Sequence, residues 1–200
     1  KWSPHSYNKD VPDNMVSKWL GALTASQMNQ LQHVSLDFNN CYITTDEIYA
    51  WLTQLPHLKS FVVEDYRPAI KGDALQIPPM AELRQLHLKC QIPTHRIELG
   101  LMPVLTRLNF MGDGTQINPN WLPNLAKMTS LESLIWNRID MGDLIEITHH
   151  LPTQLENVDL YVNRTGNPLA EAQVNTMWTN LMKLTQLTTL FITLLIPGMF

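Results

Sequence analysis

Leu131-Glu132-Ser133-Leu134-Ile135-Trp136 carries large apolar residues at its first, fourth and sixth places, and the same spacing occurs seven times along the chain. The other six are Leu31/Val34/Leu36, Leu58/Phe61/Val63, Leu83/Leu86/Leu88, Leu105/Leu108/Phe110, Leu155/Val158/Leu160 and Leu187/Leu190/Ile192. Only Val, Ile, Phe and Trp replace Leu. Successive starts lie 27, 25, 22, 26, 24 and 32 residues apart, a mean period of 26. A unit of that size holds one short strand and one return segment. Alone it cannot bury its apolar face, so neighbouring units stack and bury it together. The expected fold is α/β: a curved solenoid, or horseshoe, with a parallel concave sheet of about seven strands. Helices or turns form its convex side.

The return segments read mostly as helices. Thr44 and Glu47 have capping-box spacing ahead of Ile48, Trp51, Leu52 and Leu55, which share one helical face. Asn118-Pro119 and Asn167-Pro168 each place a capping Asn before a Pro suited to the first helical position. Periodic apolar residues follow both: Trp121, Leu122, Leu125 and Met128, then Val174, Met177, Leu181 and Leu184. Leu144, Ile147 and Leu151 repeat the pattern before the sixth strand. Around Ile77-Pro78-Pro79 and Ile92-Pro93 the prolines break any helix, so turns or 3-10 segments are expected there. Val16, Trp19, Leu20 and Leu23 form a helical face before the first strand.

Residues 1–10 read as a polar extension, and 11–200 as one repeat domain without a linker. Its last stretch, Phe191 to Phe200, is apolar with no polar cap. Terminal repeats ordinarily carry a polar outer face, so the domain is expected to be a segment of a longer protein. The hydrophobic fraction of 44% suffices for a long core, while charged residues make up 16% and the net charge is −4. Without a surplus of Lys and Arg to displace counterions, nucleic acid is not an expected partner. No apolar run reaches the length of a membrane span, and membrane insertion is not expected. Cys41 and Cys90 fall at different places in their units and form no disulfide framework, which points to a reduced intracellular compartment, cytoplasmic or nuclear. The sequon Asn163-Arg164-Thr165 points instead to a secreted protein.

The seven strand motifs and the helical 24–27-residue units resemble the long-repeat branches of the leucine-rich-repeat superfamily, including F-box substrate receptors and ribonuclease-inhibitor-like proteins. The resemblance runs over residues 11–200. Leu52-Thr53-Gln54-Leu55-Pro56-His57-Leu58-Lys59-Ser60 and Leu125-Ala126-Lys127-Met128-Thr129-Ser130-Leu131-Glu132-Ser133-Leu134 are similar to F-box-type repeats. The sequence departs from the motif after the strands, where an Asn is clear only near Asn39, Asn40 and Asn163. Residues 1–30 do not resemble an F-box, which would have to lie upstream.

No residue constellation supports catalysis, a cofactor or a metal. His149 and His150 are adjacent on a helix and point about 100° apart, with no third ligand at suitable spacing. Gly112-Asp113-Gly114 reads as a tight turn rather than a phosphate loop, and Lys71-Gly72-Asp73 as a loop. Trp51, Trp121 and Trp136 occupy core positions. The resemblance carries one regulatory alternative, a GTPase-activating solenoid with an Arg in a loop, for which Arg67, Arg96, Arg138 and Arg164 are the loop arginines.

The expected function is therefore non-enzymatic binding of a protein partner on the concave face. It resembles substrate recognition in a ubiquitin-ligase adaptor, with an extracellular recognition domain as the alternative. Side chains alternate along a strand, so the third, fifth and seventh places of each unit face outward. Asp37 and Glu64 put acids early, while Lys89 and Arg107, with Arg84 beside them, put bases at the centre, where His87 also faces outward. Met111, Ile135, Asn137, Asp159, Tyr161 and Phe191 make the later part mixed and aromatic. Exposed aromatics beside polar groups are characteristic anchors of protein interfaces.

Overall fold

The structure, a computed structural model, describes residues 18, 21–37, 43–64, 70–71, 74–89, 97–111, 119–163 and 169–195. Seven of its strands form one parallel sheet. They are β1 (His33–Asp37), β3 (Ser60–Glu64), β6 (Gln85–Lys89), β8 (Arg107–Met111), β9 (Ser133–Asp140), β10 (Asn157–Asn163) and β11 (Thr189–Leu195). They stand in the order in which the chain makes them. Each pairs with the next with motif positions aligned: Val34 faces Phe61, Phe61 faces Leu86, Leu86 faces Leu108, and so on to Val158 beside Leu190. The seven motifs are therefore the seven rungs of one sheet.

Two local hydrogen-bond patterns repeat with the motif. Before most of the strands a tight turn joins a buried residue to the first Leu. The Leu58 amide donates to Leu55 O, Leu105 to Met102 O, Leu131 to Met128 O and Leu155 to Pro152 O, at 3.0 to 3.3 Å. One carbonyl then accepts two amides from the following unit. Lys59 O takes Arg84 and Gln85, Arg84 O takes Thr106 and Arg107, and Thr106 O takes Glu132 and Ser133. Backbone polar groups at the stack's rim are thus satisfied across units, as burial requires.

The motif positions point inward. Phe61, Leu86, Leu108, Leu134, Trp136, Val158 and Leu160 are all 0 or 1% exposed, and they join the helices' apolar faces in a single core. At its centre Trp121 stacks on Trp136 with ring centroids 5.2 Å apart, and Phe110 lies against both. Packing alone accounts for these rings.

The return segments vary with their sequence. In α2 (Thr45–Leu52), after α1 (Ala25–Gln30), Thr44 Oγ1 accepts from the Glu47 amide and Glu47 Oε2 from the Thr44 amide. Ile48, Trp51 and Leu52 are buried beneath it. The segment expected to be a helix around Trp121 is instead a 3-10 turn (Pro119–Trp121) followed by the five-residue α3 (Leu122–Ala126). Pro119 and Pro123 both withhold amide donors there, which limits a regular helix to one short turn. Asp140 Oδ1 caps α4 (Met141–His149) at 2.7 Å. α5 (Glu171–Leu181) begins three residues after Pro168, with Gln173 Oε1 accepting from the Ala170 amide.

Ahead of Pro78-Pro79, where turns or 3-10 segments are expected, the chain forms a short strand, while Ile92-Pro93 lies outside the described residues. β5 (Leu75–Ile77) pairs in parallel with β7 (Ile97–Leu99), and β2 (Ile43–Thr44) pairs with β4 (Ile70–Lys71). Leu75, Ile77, Ile97 and Leu99 alternate inward and are buried. The reason is tertiary: the two segments lie side by side and bond each other, while Pro78 and Pro79 end β5. Gly100 follows β7 and donates to Ile77 O at 2.7 Å. A Cβ there would sit 2.6 Å from Pro78 C, 2.9 Å from Ile77 O and closer still to Pro79 N. Backbone cannot yield as a side-chain tip can. Gly100→Ala is therefore expected to destabilise the chain by about 1–3 kcal/mol, read as a lower urea midpoint with an unchanged slope.

Arg138, expected in a loop, lies inside β9. Asn137 pairs with Tyr161 and Ile139 with Val162, so Arg138 is the extra residue of a bulge, with φ 61°. The bulge reverses the alternation: Arg138 is turned to solvent and Ile139 is buried at 1% exposure. Gly112–Gly114, Gly72, Asp73, both cysteines, Arg67, Arg96, Arg164, Thr165, Val16, Trp19, Leu20, Asn118, Asn167 and the last five residues lie outside the described residues. Leu23 packs against the core.

Candidate partner-binding face

Parallel pairing in aligned register turns the outward positions into rows that cross all seven strands. The middle row is Ser35, Val62, His87, Asn109, Ile135, Asp159 and Phe191. On one side runs the row His33, Ser60, Gln85, Arg107, Ser133, Asn157 and Thr189. On the other side Asp37, Glu64 and Lys89 are neighbours, and Met111, Asn137, Tyr161 and Thr193 continue across the later strands. The side chain of Asp37 lies outside the described residues. These outward residues are half-buried or exposed, unlike the motif residues between them.

The acids and bases do not form separate patches. Lys89 Nζ lies 3.5 Å from Glu64 Oε1 on the adjacent rung, with both side chains about one-third exposed. Such a pair contributes about 1 kcal/mol or less, but it neutralises two charges that the sequence placed in different clusters. Among the described residues Arg107 has no ion-pair partner. The unpaired positive charge on this part of the face is thus Arg107, with exposed Arg84 before the same strand position.

His87, expected to face outward, is half-buried. Burial lowers its pKa below the ordinary histidine range, the Lys89 ammonium acts in the same direction, and Glu64 opposes both. Its Nε2 is shielded from water and has no hydrogen-bond partner among the described residues; Oδ1 of Asn109, its neighbour on β8, is in the same state. Two strands further on, burial raises the pKa of Asp159, while a hydrogen bond with Tyr161 on the same strand opposes the shift. Oδ1 of Asp159 is also unpartnered. Ile135 lies between Asn109 and Asp159.

A hollow of about 240 Å³ opens at the centre of this face. Val62, Gln85, His87, Arg107, Asn109, Ser133 and Ile135 surround it over the backbone of Leu86 and Leu108. The sequence singled out His87, Arg107 and Ile135, but it gave no role to Gln85, Asn109 or Ser133. Their signal is positional. They occupy the same outward places in adjoining units, where the shorter Ser133 and Asn109 leave space beside Arg107 and His87.

The aromatic end is more exposed. Phe191 is 60% exposed and Leu194 52%, both on β11, and Trp178 on α5 and Met182 just after it are exposed too. Tyr161 is half-buried beside Asn137 and Thr193. The adjacent histidines have rings 5.3 Å apart, and His150 Nε2 contacts Glu146 at 3.2 Å. Among the described residues no group of three or more His, Cys, Asp or Glu could hold a metal ion, and no helix is long and apolar enough to cross a membrane. Comparison with known protein families, with curated proteins and with solved structures finds no match for this chain.

Proposed function

We propose that this chain is a leucine-rich-repeat solenoid, curved as a horseshoe, that binds a protein partner on the exposed face of its sheet and performs no chemistry itself. The observation that carries the reading is the seven-rung parallel sheet, whose outward rows combine aromatic anchors with unpaired polar groups. Phe191 and Tyr161 supply apolar contact area at one end, and Arg107 supplies charge at the centre. An interface of this kind uses charge to steer approach and buried aromatics to slow release. Within that class, substrate recognition for a ubiquitin ligase is the more specific proposal, resting on the likeness of residues 52–60 and 125–134 to F-box-type repeats. An intracellular location goes with it. The sequon at Asn163, which closes β10, is what supports a secreted recognition domain instead.

The test is capture of the partner from the native source, followed by affinity measurement on variants of the two sides. Phe191→Ala or Tyr161→Ala is expected to weaken binding by on the order of 2 kcal/mol where the side chain is an anchor. Lys127→Ala, on the exposed end of α3, is expected to leave Kd within about twofold, as rim and remote charges do. Loss of binding on Lys127→Ala with both aromatic variants silent would move the interface to the helical side.

A further inference from the structure

The hollow at the centre of the sheet face has a chemistry of its own. Its walls contain no carboxylate, and the one formal charge among its lining residues is the Arg107 guanidinium. Two lining residues keep hydrogen-bonding atoms that are closed to water and have no partner among the described residues, His87 Nε2 and Asn109 Oδ1. An unsatisfied group held away from water is destabilising, so a ligand that supplies its partner gains more than a surface contact would. Val62 and Ile135 flank the hollow with apolar surface suited to a methylene chain. Its volume fits one side chain rather than a cofactor, since cofactor and drug-sized pockets begin at roughly 300 Å³.

We propose that this hollow is a subsite for one acidic side chain, a glutamate or aspartate of the bound protein, with Arg107 as its ionic partner and His87 and Asn109 as its hydrogen-bond partners. The inference rests on the sheet face being the partner-binding surface. A carboxylate accepts from Arg107 directly; His87 Nε2–H and an Asn109 amide turned to present Nδ2–H₂ in place of Oδ1 reach it only by rotating out of positions that are closed to water. Arg meets carboxylates in a bidentate fork, which fixes orientation as well as adding attraction. An amide side chain in the same place would leave the Arg107 charge without a counter-ion.

Proton linkage gives a second signature. His87 is faced by Lys89 on its own strand, Glu64 on β3 and Arg107 on β8, with Asp159 beyond Ile135. In the free protein its pKa is lowered, so at pH 7 the ring is neutral. A bound carboxylate favours the charged ring and raises that pKa. Binding therefore tightens as the pH falls below the ordinary histidine range, for as long as the ligand carboxylate stays ionised.

The experiment is an NMR titration of the intact chain with N-acetylglutamate methylamide, followed through the His87 ring and Arg107 Nε–H resonances. N-acetylglutamine methylamide serves as the neutral control. A ligand this small is expected to bind in the millimolar range. The expected result is saturation by the glutamate compound only, at least about tenfold weaker with Arg107→Gln and nearly unchanged with Arg84→Gln, whose residue lies outside the lining. The exposed Arg107 side chain makes its loss neutral for folding, which the unchanged amide spectrum of the variant would verify. Equal binding of the glutamine compound, indifference to Arg107→Gln, or no saturation at about 50 mM ligand would each overturn the subsite. The broader binding reading would stand or fall separately, on Phe191 and Tyr161.

Discussion

Leu134→Asp is expected to unfold the chain at room temperature, and Leu86→Asp to do the same. Leu134 is fully buried at the middle of the sheet and Leu86 is 1% exposed. Each lies between two neighbouring rungs: Leu108 and Val158 flank Leu134, and Phe61 and Leu108 flank Leu86. Substitution removes about 2–3 kcal/mol of apolar burial and puts a carboxylate where no cation or donor can reach it. A buried unpaired charge adds several kcal/mol more or forces protonation. Together these approach the whole stability of a domain, about 5–15 kcal/mol. Leu101→Asp is the matched control, because Leu101 is 40% exposed and can keep a charge in water. Circular dichroism melts of the three variants decide the matter. If Leu134→Asp melts with the parent, the inward register is wrong.

Trp136→Ala is the second large effect, at about 3–5 kcal/mol. The indole is fully buried, stacked on Trp121 and tilted against Phe110 at the same 5.2 Å spacing. Removing it leaves a cavity between two adjoining units, because Phe110 and Trp121 come from the strand and return segment of one unit and Trp136 from the strand of the next. Trp136→Phe should be much milder. It keeps most of the ring contacts and also removes the indole Nε1–H, which has no hydrogen-bond partner among the described residues. Urea unfolding measures both, and near-ultraviolet circular dichroism reports the packing of the remaining aromatic rings, Trp121 among them. Equal losses for Ala and Phe would mean that the polar atom rather than the volume matters at this site.

The strand motif was legible because sheet structure writes its period directly into sequence. Leu131, Leu134 and Trp136 sit inward for the same reason as Leu58, Phe61 and Val63: each unit buries the same positions against the same positions of the next. The helix at Thr45–Leu52 was legible from its capping box and apolar face, both local signals. Legibility failed where the deciding partner was distant in sequence. Pro78-Pro79 marks a break, but β5 exists only because Ile97–Leu99 lies alongside to complete its hydrogen bonds. Arg138 looked like a loop residue because nothing in Asn137-Arg138-Ile139 announces a bulge. The offset appears only when β9 is laid against β10.

The sheet face divides in the same way. Which residues point outward follows from alternation along each strand, and the sequence alone determined that Lys89, Arg107, Tyr161 and Phe191 share one side of the sheet. Which of them meet is a property of adjacent rungs, twenty or more residues apart. Only the tertiary structure decided that Glu64 neutralises Lys89, that Arg107 keeps its charge, and that His87 and Asn109 close over a hollow instead of standing in water. Periodicity fixes direction one strand at a time. Charge pairing, desolvation and cavity shape depend on distances between strands, and those exist only once the units have stacked.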